Sequence, residues 1–407
     1  MNVWIVNHYA LPPDRAGGTR HYTFAKELSR HGHGVTIWAS SFDYLSREEK
    51  HLTTGELWKW EVVDGVPFVW VRTPGYKSNS LARVWNMTAF AYRMWRLGKK
   101  AGLGKPDVII GSSPHLFAAL AAERLADRFQ VPFVLEVRDL WPQTLIDLGN
   151  FSPRHPFIAS LLTIERYLYR KAAAILSLLP GAKEHMAEKG ADPSRIVWLP
   201  TGIDLELVPP PQPPKSDGPF TVMYAGAHGL ANGLDLALEA AHLLEREGWG
   251  KRVRFRFVGD GPEKPNLMQK AQALGLRSVS FEDPVPKRAV YGLLQQADAF
   301  LFILRDSPLF RWGISPNKLF DFLSQARPVI FCVNTPFNPV EEAKAGVTVS
   351  PASPEGLADA IKRLTLLSPE ERWSMGMRGR AYVEKYHSLN RLADKLEEVL
   401  KHVAKVG

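Results

Sequence analysis

Short apolar segments alternate with amphipathic segments along nearly the whole chain. The apolar segments are a few residues long and have few polar positions, which is typical of strands buried on both faces. The longer segments between them, such as TRHYTFAKELSRHG and LDLALEAAHLLEREG, repeat their apolar positions with helical spacing. This alternation predicts an α/β fold with parallel sheets covered by helices. The predicted strands are NVWIVN, GVTIWAS, DVIIGS, FVLEV, AAILSL and RIVWLP in the first half and FTVMYAG, VRFRFVG, VSFED, AFLFIL, PVIFCV and VTVS in the second.

The alternation is interrupted at LVPPPQPPKSDGPF, where prolines accumulate and apolar anchors are few. A proline-rich segment of this kind forms a stiff linker. We therefore predict an N-terminal domain over residues 1–206, a linker over residues 207–219 and a C-terminal domain over residues 220–387. Ligands of open parallel sheets bind at the carboxyl ends of the strands, so we expect the two domains to face each other across a cleft.

Composition narrows the class of protein. A length of 407 residues suits two domains better than one core. The single cysteine, Cys332, lies in a predicted strand, which excludes an intramolecular disulfide and suits a reducing cytoplasm. The start MNVWIVNHYA lacks the cationic and apolar regions of a signal peptide, and the chain has no run of about 18 apolar residues. The formal net charge of +9 favours anionic partners such as phosphates, nucleic acid or acidic lipid.

Two candidate site segments follow strands of the first half. Gly17 and Gly18 precede a helix that opens at Thr19, where backbone N–H groups could meet an anion and Arg20 could add charge. A flexible turn before a surface helix is an equal alternative for these glycines. His115 stands just past a strand end and can donate to a ligand hydroxyl or carbonyl, although a histidine that caps or packs against a helix is the commoner outcome.

Charged residues follow two further strands. Arg138, Asp139 and Trp141 come after FVLEV and give a composition typical of a site, or else a self-satisfied Arg–Asp pair. In FVGDGPEK, Gly261 belongs to an Asp-Gly pair that mostly marks a turn. Lys264, just beyond it, could face a phosphate.

The segment WGISPNKLFD places polar residues on the first turns of a helix. Ser315 is a suitable N-cap and Pro316 is favoured at the first helical position. Free N–H groups at such a helix start receive a phosphate, and Lys318 adds a full charge. Asn317 and Asp321 share one face, and a carboxylate there can accept two hydroxyl hydrogen bonds from a ribose. The pattern describes a nucleotide site; the alternative is a surface ion pair between Lys318 and Asp321 that contributes about 0.2–0.5 kcal/mol.

Together and in this order, these segments resemble the family 4 retaining glycosyltransferases of the GT-B fold. The resemblance covers nearly the whole chain and also includes GHGVTIWAS, LPTGID, ARPVI, GVTVSPASPEGLADAI and LSPEERWSMGMRGRAYVEKY. It implies two Rossmann-like parallel-sheet domains, and we expect the last helix, about residues 388–407, to pack back on the N-terminal one. The motif SPNKLFD is most similar to the subgroup that makes bacterial surface polysaccharides, including the N-acetylfucosamine transferase of O-antigen synthesis.

The chain departs from this family at an acidic position. The family has two glutamates eight positions apart; Asp321 matches the second, whereas Gly313 stands at the first. Gly313 removes a side-chain contact to the hydroxyls of the donor sugar. In the family, the loop that begins here at Gly226, after the first strand of the C-terminal domain, also belongs to the donor site.

A second departure concerns positive charge. The family's diphosphate-binding Arg and Lys fall on Ala227 and Asn232 of YAGAHGLANGLD. The resemblance therefore leaves Lys318, with Arg305 or Lys264, to supply the charge that holds the donor's diphosphate.

The resemblance implies a reaction and its substrates. A sugar, expected to be an N-acetylated amino sugar, would move with retention from a UDP-linked donor to a polyprenyl-diphosphate-linked or glycan acceptor. No metal or cofactor is required, because helix ends and basic residues such as Lys318 stabilise the departing diphosphate. The acceptor would attack on the face that the diphosphate leaves, and a leaving phosphate oxygen would take the acceptor's proton. His115 would hold the donor sugar, and Asp139 would stand on the acceptor side.

Other α/β classes fit less well. A nicotinamide dehydrogenase should show G-x-G-x-x-G directly after a strand, with an acidic residue about 20 positions on, and the chain has neither. An exported two-lobed sugar-binding protein would carry a signal peptide. A sugar-nucleotide 2-epimerase shares the two-domain fold and is the alternative function.

Residues 76–105 combine aromatic and basic side chains. A cationic amphipathic helix that bears tryptophan can lie among the headgroups of an anionic membrane; the alternative is a helix that packs its apolar side on the first sheet. We expect a cytoplasmic protein bound peripherally at the inner face of the cell membrane. The apolar positions are Leu81, Val84, Trp85, Ala89, Tyr92 and Trp95, and the basic residues around them are Lys77, Arg83, Arg93, Arg96, Lys99, Lys100 and Lys105.

Overall fold

Two compact α/β units make up the chain. The first comprises Met1–Thr201 with Leu389–Gly407, and the second comprises Gly202–Ser388. The division places residues 202–206 with the second unit, together with the described part of the proline-rich segment. The computed structural model describes residues 1–13, 19–77, 81–149, 151–213 and 218–406.

The first unit is built on a largely parallel sheet. Its strands follow the order β10-β9-β8-β7-β1-β2-β6-β5, and β5 pairs antiparallel with β6. Every strand predicted for the first half is present, because each apolar run is buried between two layers of helices. The strands are β1 (Asn2–Val6), β2 (Gly34–Ser40), β3 (Phe42–Asp43), β4 (Glu48–Glu49), β5 (Trp58–Val63), β6 (Val66–Val71), β7 (Val108–Ser112), β8 (Phe133–Val137), β9 (Ala174–Ser177) and β10 (Ile196–Trp198).

Helices cover this sheet. The helix α1 begins after Thr19, as predicted, and its buried side packs with β2 and β6. The segment of residues 76–105 forms a helix over Leu81–Leu97, which packs on its neighbour α3. The helices are α1 (Arg20–Arg30), α2 (Leu81–Leu97), α3 (Leu116–Phe129), α4 (Gln143–Asp147), α5 (Pro156–Lys171) and α6 (Ala182–Glu188).

The second unit repeats the architecture. Its sheet is parallel, with the order β13-β12-β11-β14-β15-β16, and the strands predicted for the second half are all present. Cys332 is buried in β15. The elements are β11 (Phe220–Ala225), α7 (Leu234–Arg246), β12 (Val253–Val258), α8 (Lys264–Ala273), β13 (Val279–Glu282), α9 (Lys287–Leu294), β14 (Ala299–Ile303), α10 (Asn317–Ser324), β15 (Val329–Cys332), α11 (Pro339–Glu342), β16 (Gly346–Thr348), α12 (Pro354–Leu366) and α13 (Pro369–Tyr386).

The last helix, α14 (Leu389–Val406), returns to the first unit. Its apolar face, which includes Leu392, Leu396 and Leu400, is buried in the same core as α1 and the strands β1, β2 and β6. With these two parallel-sheet units the α/β fold expected from the sequence is confirmed.

The start of α10 differs from the prediction by one residue. The helix begins at Asn317, and Pro316 with ψ 138° occupies the N-cap, so Ser315 lies outside the helix. Proline offers no side-chain acceptor, and no side-chain cap is present at this end. Pro316, rather than the predicted Ser315, therefore occupies the N-cap of α10.

Small residues bring α13 close to the end of α10. A Cβ added at Gly376 would lie 2.1 Å from the carbonyl oxygen of Ala326, in the turn that follows α10. At Gly379 a Cβ would lie 2.9 Å from the Leu323 side chain. The position of α10 thus depends on the absence of side chains along one face of α13.

We expect Gly376→Ala to destabilise the protein by about 1–3 kcal/mol, because backbone must move to admit the methyl group. Gly292→Ala is the matched control: an added Cβ there meets no heavy atom within 4 Å, and alanine favours helix by about 0.5–1 kcal/mol. Urea unfolding followed by circular dichroism compares the two. Equal transition midpoints would contradict the close packing of α13.

Candidate functional site

The side chain of Lys318 lies at the carboxyl edge of the second sheet, where β11 ends. Its Nζ donates to the Tyr224 hydroxyl at 2.7 Å and to Asn232 Oδ1 at 2.6 Å. Both acceptors are fixed by one carbonyl: Tyr224 Oη donates to Ala227 O at 2.7 Å and Asn232 Nδ2 donates to the same oxygen at 2.9 Å. These four residues form a closed hydrogen-bonded ring, which we call the lysine ring.

The charge of Lys318 lies beside aromatic rings and neutral oxygens. Its Nζ lies 4.6 Å from the ring centroid of Tyr224 and 5.8 Å from that of Phe302. Among the described residues no carboxylate forms an ion pair with it. Burial lowers the pKa of Lys318 to about 8. An ammonium group has three donors and the ring uses two, so the third remains for an anion.

Glycines allow two loops to meet beside the lysine ring. A Cβ at Gly226 would lie 3.4 Å from the Cδ and Nζ atoms of Lys318. A Cβ at Gly259 would lie 2.0 Å from the carbonyl oxygen of Gly226, and one at Gly261 would lie 2.4 Å from that of His228. Gly226, predicted as a site residue, thus lies beside Lys318, and Gly261, also predicted, packs against the backbone of His228 in the same loop.

Asp321 lies one turn after Lys318 on α10 and is half-buried. Its Oδ1 accepts from the Tyr291 hydroxyl at 3.1 Å, and burial together with Asp321 raises the pKa of Tyr291. Asn317 is exposed on the first turn of the same helix. The predicted surface ion pair between Lys318 and Asp321 is absent from the described residues, because Lys318 points to the lysine ring.

Arg305 approaches the same loop from the end of β14. Its backbone N–H donates to Ala231 O at 2.9 Å, and its guanidinium pairs with Asp235 at 3.2 Å. The side chain is half exposed. Arg305 is therefore near Asn232, and its charge is partly neutralised by the Asp235 carboxylate at the surface.

Lys264 has a structural role that the sequence did not predict. Its Nζ donates to Gly259 O at 3.0 Å, to Glu282 O at 3.1 Å and to Asp283 Oδ1 at 2.9 Å. All three ammonium donors are used, and the lysine ties the ends of β12 and β13 together. This arrangement does not support the prediction that Lys264 faces a phosphate.

Arg20 is likewise engaged within the first unit. Its guanidinium donates to Glu136 Oε1 at 2.8 Å, to Leu199 O at 2.8 Å and to Pro200 O at 2.5 Å. Burial opposes ionisation of Glu136, but His21 and Arg20 outweigh it and hold the pKa of that carboxyl well below its usual range. Arg20 therefore joins α1 to the ends of β8 and β10, and does not support the predicted anion site.

His115 caps α3 and keeps one unused donor. Its Nδ1 accepts from the Ala118 N–H at 3.4 Å, so the ring proton belongs on Nε2. That nitrogen is buried and has no partner in the part of the chain that the structure describes. Burial, then the positive charge of Arg83, lowers the pKa of His115 to about 3. The neutral side chain combines the capping role with a free N–H. Gly17 and Gly18 lie outside the described residues.

Asp139 follows β8 and is exposed. Within the described ranges it has no ion-pair partner, so the self-satisfied Arg138–Asp139 pair is not formed. The backbone N–H of Arg138 donates to Ser113 Oγ at 2.8 Å, which fixes the start of this loop.

Sequence reasoning missed His228, which lies in the loop between Gly226 and Asn232. The side chain is fully buried, and neither ring nitrogen has a partner among the described residues. Burial, then the charge of Lys264, lowers its pKa. The only signal in the sequence was a polar residue between two glycines after a strand.

Within the described ranges, no group of three or more His, Cys, Asp or Glu side chains is placed to hold a metal ion.

Family models match both units of the chain. Residues 16–202 match the glycosyl transferase 4-like domain, and residues 219–366 match the glycosyl transferases group 1 domain. These two ranges include the carboxyl ends of both sheets and most of the residues described above.

Individual proteins resemble the chain over most of its length. WcaI of Escherichia coli K12, assigned to colanic acid biosynthesis as a glycosyl transferase, is 25% identical over 330 residues, which are 76% of this chain and 79% of WcaI. Sucrose-phosphate synthase of Thermosynechococcus elongatus superposes with a TM-score of 0.75 at 14% identity over 100% of both chains. HepE of Anabaena, solved with UDP and glucose, superposes with a TM-score of 0.68 at 12% identity; the match covers 99% of this chain and 100% of the HepE chain.

The structural likeness shows the fold, and the matched domains show the class of enzyme. The chain therefore belongs to the glycosyltransferases, with a 4-like domain followed by a group 1 domain on the GT-B fold.

Proposed function

We propose that this glycosyltransferase moves a sugar, with retention, from a UDP-linked donor to a lipid-linked or glycan acceptor in bacterial surface polysaccharide synthesis. The observation that carries the proposal is the ammonium group of Lys318 at the edge of the second sheet, which has two neutral acceptors and one free donor among the described residues. A diphosphate supplies the anion that this cation lacks.

The relatives support the substrate class. HepE was solved with UDP and glucose, and WcaI is assigned to colanic acid biosynthesis. The proposal of an N-acetylated amino sugar, as in the N-acetylfucosamine transferase of O-antigen synthesis, rests on the motif SPNKLFD alone.

The donor's parts are assigned to residues near the lysine ring. The diphosphate would bind Lys318 and the N–H groups at the start of α10, which carry the positive end of the helix dipole. The ribose hydroxyls would donate to Asp321, which Tyr291 already holds in position. Arg305 would add charge at the rim of the site.

Catalysis would come from stabilising the leaving group. As the bond between the anomeric carbon and the phosphate oxygen breaks, negative charge grows on the diphosphate, and Lys318 would balance it. The acceptor hydroxyl forms the new bond on the same face and passes its proton to a leaving phosphate oxygen. The Nε2–H of His115 would donate to a hydroxyl of the donor sugar, and Asp139 would bind the acceptor.

A donor screen tests the function. UDP-, GDP- and TDP-sugars are compared by thermal shift, and the best donor is then incubated with and without a lipid-linked acceptor. We expect the strongest stabilisation from a UDP-sugar and release of UDP that depends on the acceptor. Epimerisation of the sugar nucleotide without any acceptor would contradict the transferase proposal.

Removing the charge of Lys318 should separate diphosphate binding from nucleoside binding. We expect Lys318→Met to weaken the affinity for UDP by about 10- to 100-fold, the range of a charge-assisted hydrogen bond. The affinity for uridine, which has no phosphate, should stay unchanged. Calorimetry measures both affinities. Lys270→Met is the matched control, since Lys270 pairs with Glu239 away from the lysine ring. Unchanged UDP affinity in Lys318→Met would show that another group holds the diphosphate.

We also propose that the first unit binds an anionic membrane through α2. Leu81, Trp85 and Tyr92 are exposed on this helix, and Trp85 is 64% exposed. The buried side of α2 is formed by other residues, among them Phe90 and Met94. Ala89 is buried, so the alternative of packing on the first unit holds at that position, whereas Leu81, Trp85 and Tyr92 form an exposed aromatic surface.

Basic side chains surround the aromatic surface. Arg96, Lys99 and Lys100 are exposed at the end of α2. Arg93 is an exception, because its guanidinium donates to the Arg72 carbonyl at 2.6 Å. None of the helices that the structure describes has both the length and the apolar character needed to cross a bilayer.

Vesicle co-sedimentation tests this surface. Each basic residue near an anionic bilayer contributes about 1 kcal/mol, so changing Arg96, Lys99 and Lys100 together to Glu should abolish binding to phosphatidylglycerol vesicles at low salt. The control changes Lys251, Arg254 and Arg277 to Glu, the same charge difference on exposed positions of the second unit. Equal binding by both variants, or none by the wild type, would refute the proposal.

A further inference from the structure

The strand β5 forms an open edge of the first sheet. It is the terminal strand and pairs with β6 in the register Trp58↔Val71 to Val63↔Val66. The Asp64-Gly65 turn joins the two strands, with φ angles of 46° and 81° that suit a two-residue hairpin. On its other side, β5 pairs with no strand that the structure describes.

The hydrogen-bond pattern defines which backbone groups face this open edge. The Arg72 N–H donates to Leu57 O at 3.0 Å, so Leu57 faces β6. In an antiparallel pair, alternate residues face the partner, and Trp58, Trp60 and Val62 therefore point their N–H and C=O groups outward. The register agrees, because Val62 stands opposite Pro67, which has no N–H to offer.

The outward-pointing residues also carry apolar side chains on one face of the strand. Trp60 is 47% exposed and Val62 is 53% exposed, and Trp58 shares their face by alternation. Natural edge strands are commonly protected by a lysine. Here Lys59 is paired with Glu61 on the same strand, so the edge WKWEVV is electrically neutral and has no proline or glycine.

The sequence of β5 is complementary to itself. If two copies pair antiparallel about a two-fold axis at Trp60, Lys59 of each copy stands opposite Glu61 of the other. Trp60 then stands opposite its own copy, and Trp58 stands opposite Val62. The outward N–H and C=O groups of these three residues are those that the pairing requires, and opposite charges and aromatic pairs across strands are stabilising.

We propose that the chain forms a symmetric dimer in which β5 pairs with β5 of a second copy in this register. The interface joins the two first-unit sheets into one continuous sheet and covers the exposed Trp60 and Val62 side chains. An isologous contact of this kind closes on itself, which prevents further addition of copies at the same edge.

Charge exchange tests the register. Lys59→Glu places a second carboxylate opposite Glu61 of the other copy, and Glu61→Lys places a second ammonium group opposite Lys59. Each variant alone should therefore dimerise at least about tenfold more weakly than the wild type. A mixture of the two variants restores opposite charges in a heterodimer, and the double variant Lys59→Glu/Glu61→Lys restores them in a homodimer. Sedimentation velocity of the full chain, without lipid, measures each association constant, and circular dichroism confirms that each variant is folded.

A backbone variant tests the pairing itself. Val62→Pro removes an outward N–H that β6 does not use, and proline is tolerated at such an edge position. We expect it to abolish the dimer, whereas Val62→Thr, which keeps the N–H, retains it. A monomeric wild type at about 100 µM would overturn the proposal. The proposal would also be overturned if Lys59→Glu, Glu61→Lys and Val62→Pro all dimerised as strongly as the wild type, since the interface would then lie elsewhere.

Discussion

The proposed donor site depends on one largely buried ammonium group, that of Lys318, whose lost hydration the protein replaces only in part. Taking a lysine out of water is costly unless partners replace the lost hydration. Tyr224 and Asn232 replace two of its hydrogen bonds with neutral oxygens, and Ala227 O orients both of them. No described carboxylate accepts the third hydrogen bond of the Lys318 ammonium group. An anionic ligand that enters the site therefore meets a cation that is already positioned and has little of its hydration left to lose.

The same constraint accounts for the departures from the family's pattern. Asn232 stands where the family has a lysine, and its Oδ1 lies 2.6 Å from Lys318 Nζ. A second ammonium at that position would repel the first, so the charge at Lys318 and the amide at Asn232 form one linked arrangement. Ala227, at the position of the family's arginine, contributes only its carbonyl oxygen. On this proposal, Lys318 of α10 supplies at the sheet edge the positive charge that the family's loop residues would supply.

Much of the fold follows from the local pattern, because buried parallel strands leave apolar runs that can be recognised one at a time. The hairpin of β5 and β6 was not predicted, although its Asp64-Gly65 pair between alternating residues is a usual hairpin signal. The N-cap of α10 was assigned to Ser315 on propensity, whereas Pro316, with ψ 138°, occupies it and the helix begins one residue later.

The site was only partly predictable, since residue type and position do not reveal which acceptors a cation finds. Lys318 and Lys264 both lie in the first turn of a helix, yet Lys264 meets three acceptors at the ends of β12 and β13, whereas Lys318 meets two that lie more than eighty positions away in sequence. Arg20 is bound to Glu136, more than a hundred positions away in sequence. Such contacts depend on the order of strands in the sheet. His228 escaped notice for the same reason, because its burial comes from the close approach of two glycine loops.

We propose that Lys318 is a partly solvated cation whose third hydrogen bond is completed by the donor's diphosphate. Its protonation can be followed directly by NMR of lysine labelled with ¹³C at Cε, with the signal assigned through Lys318→Arg. Burial disfavours the charged form, so the free protein should titrate with a pKa of about 8, and the cation is lost as pH rises through that value. A bound diphosphate favours the charged form, so UDP should raise the midpoint while uridine leaves it unchanged. A midpoint that UDP does not move would contradict the account.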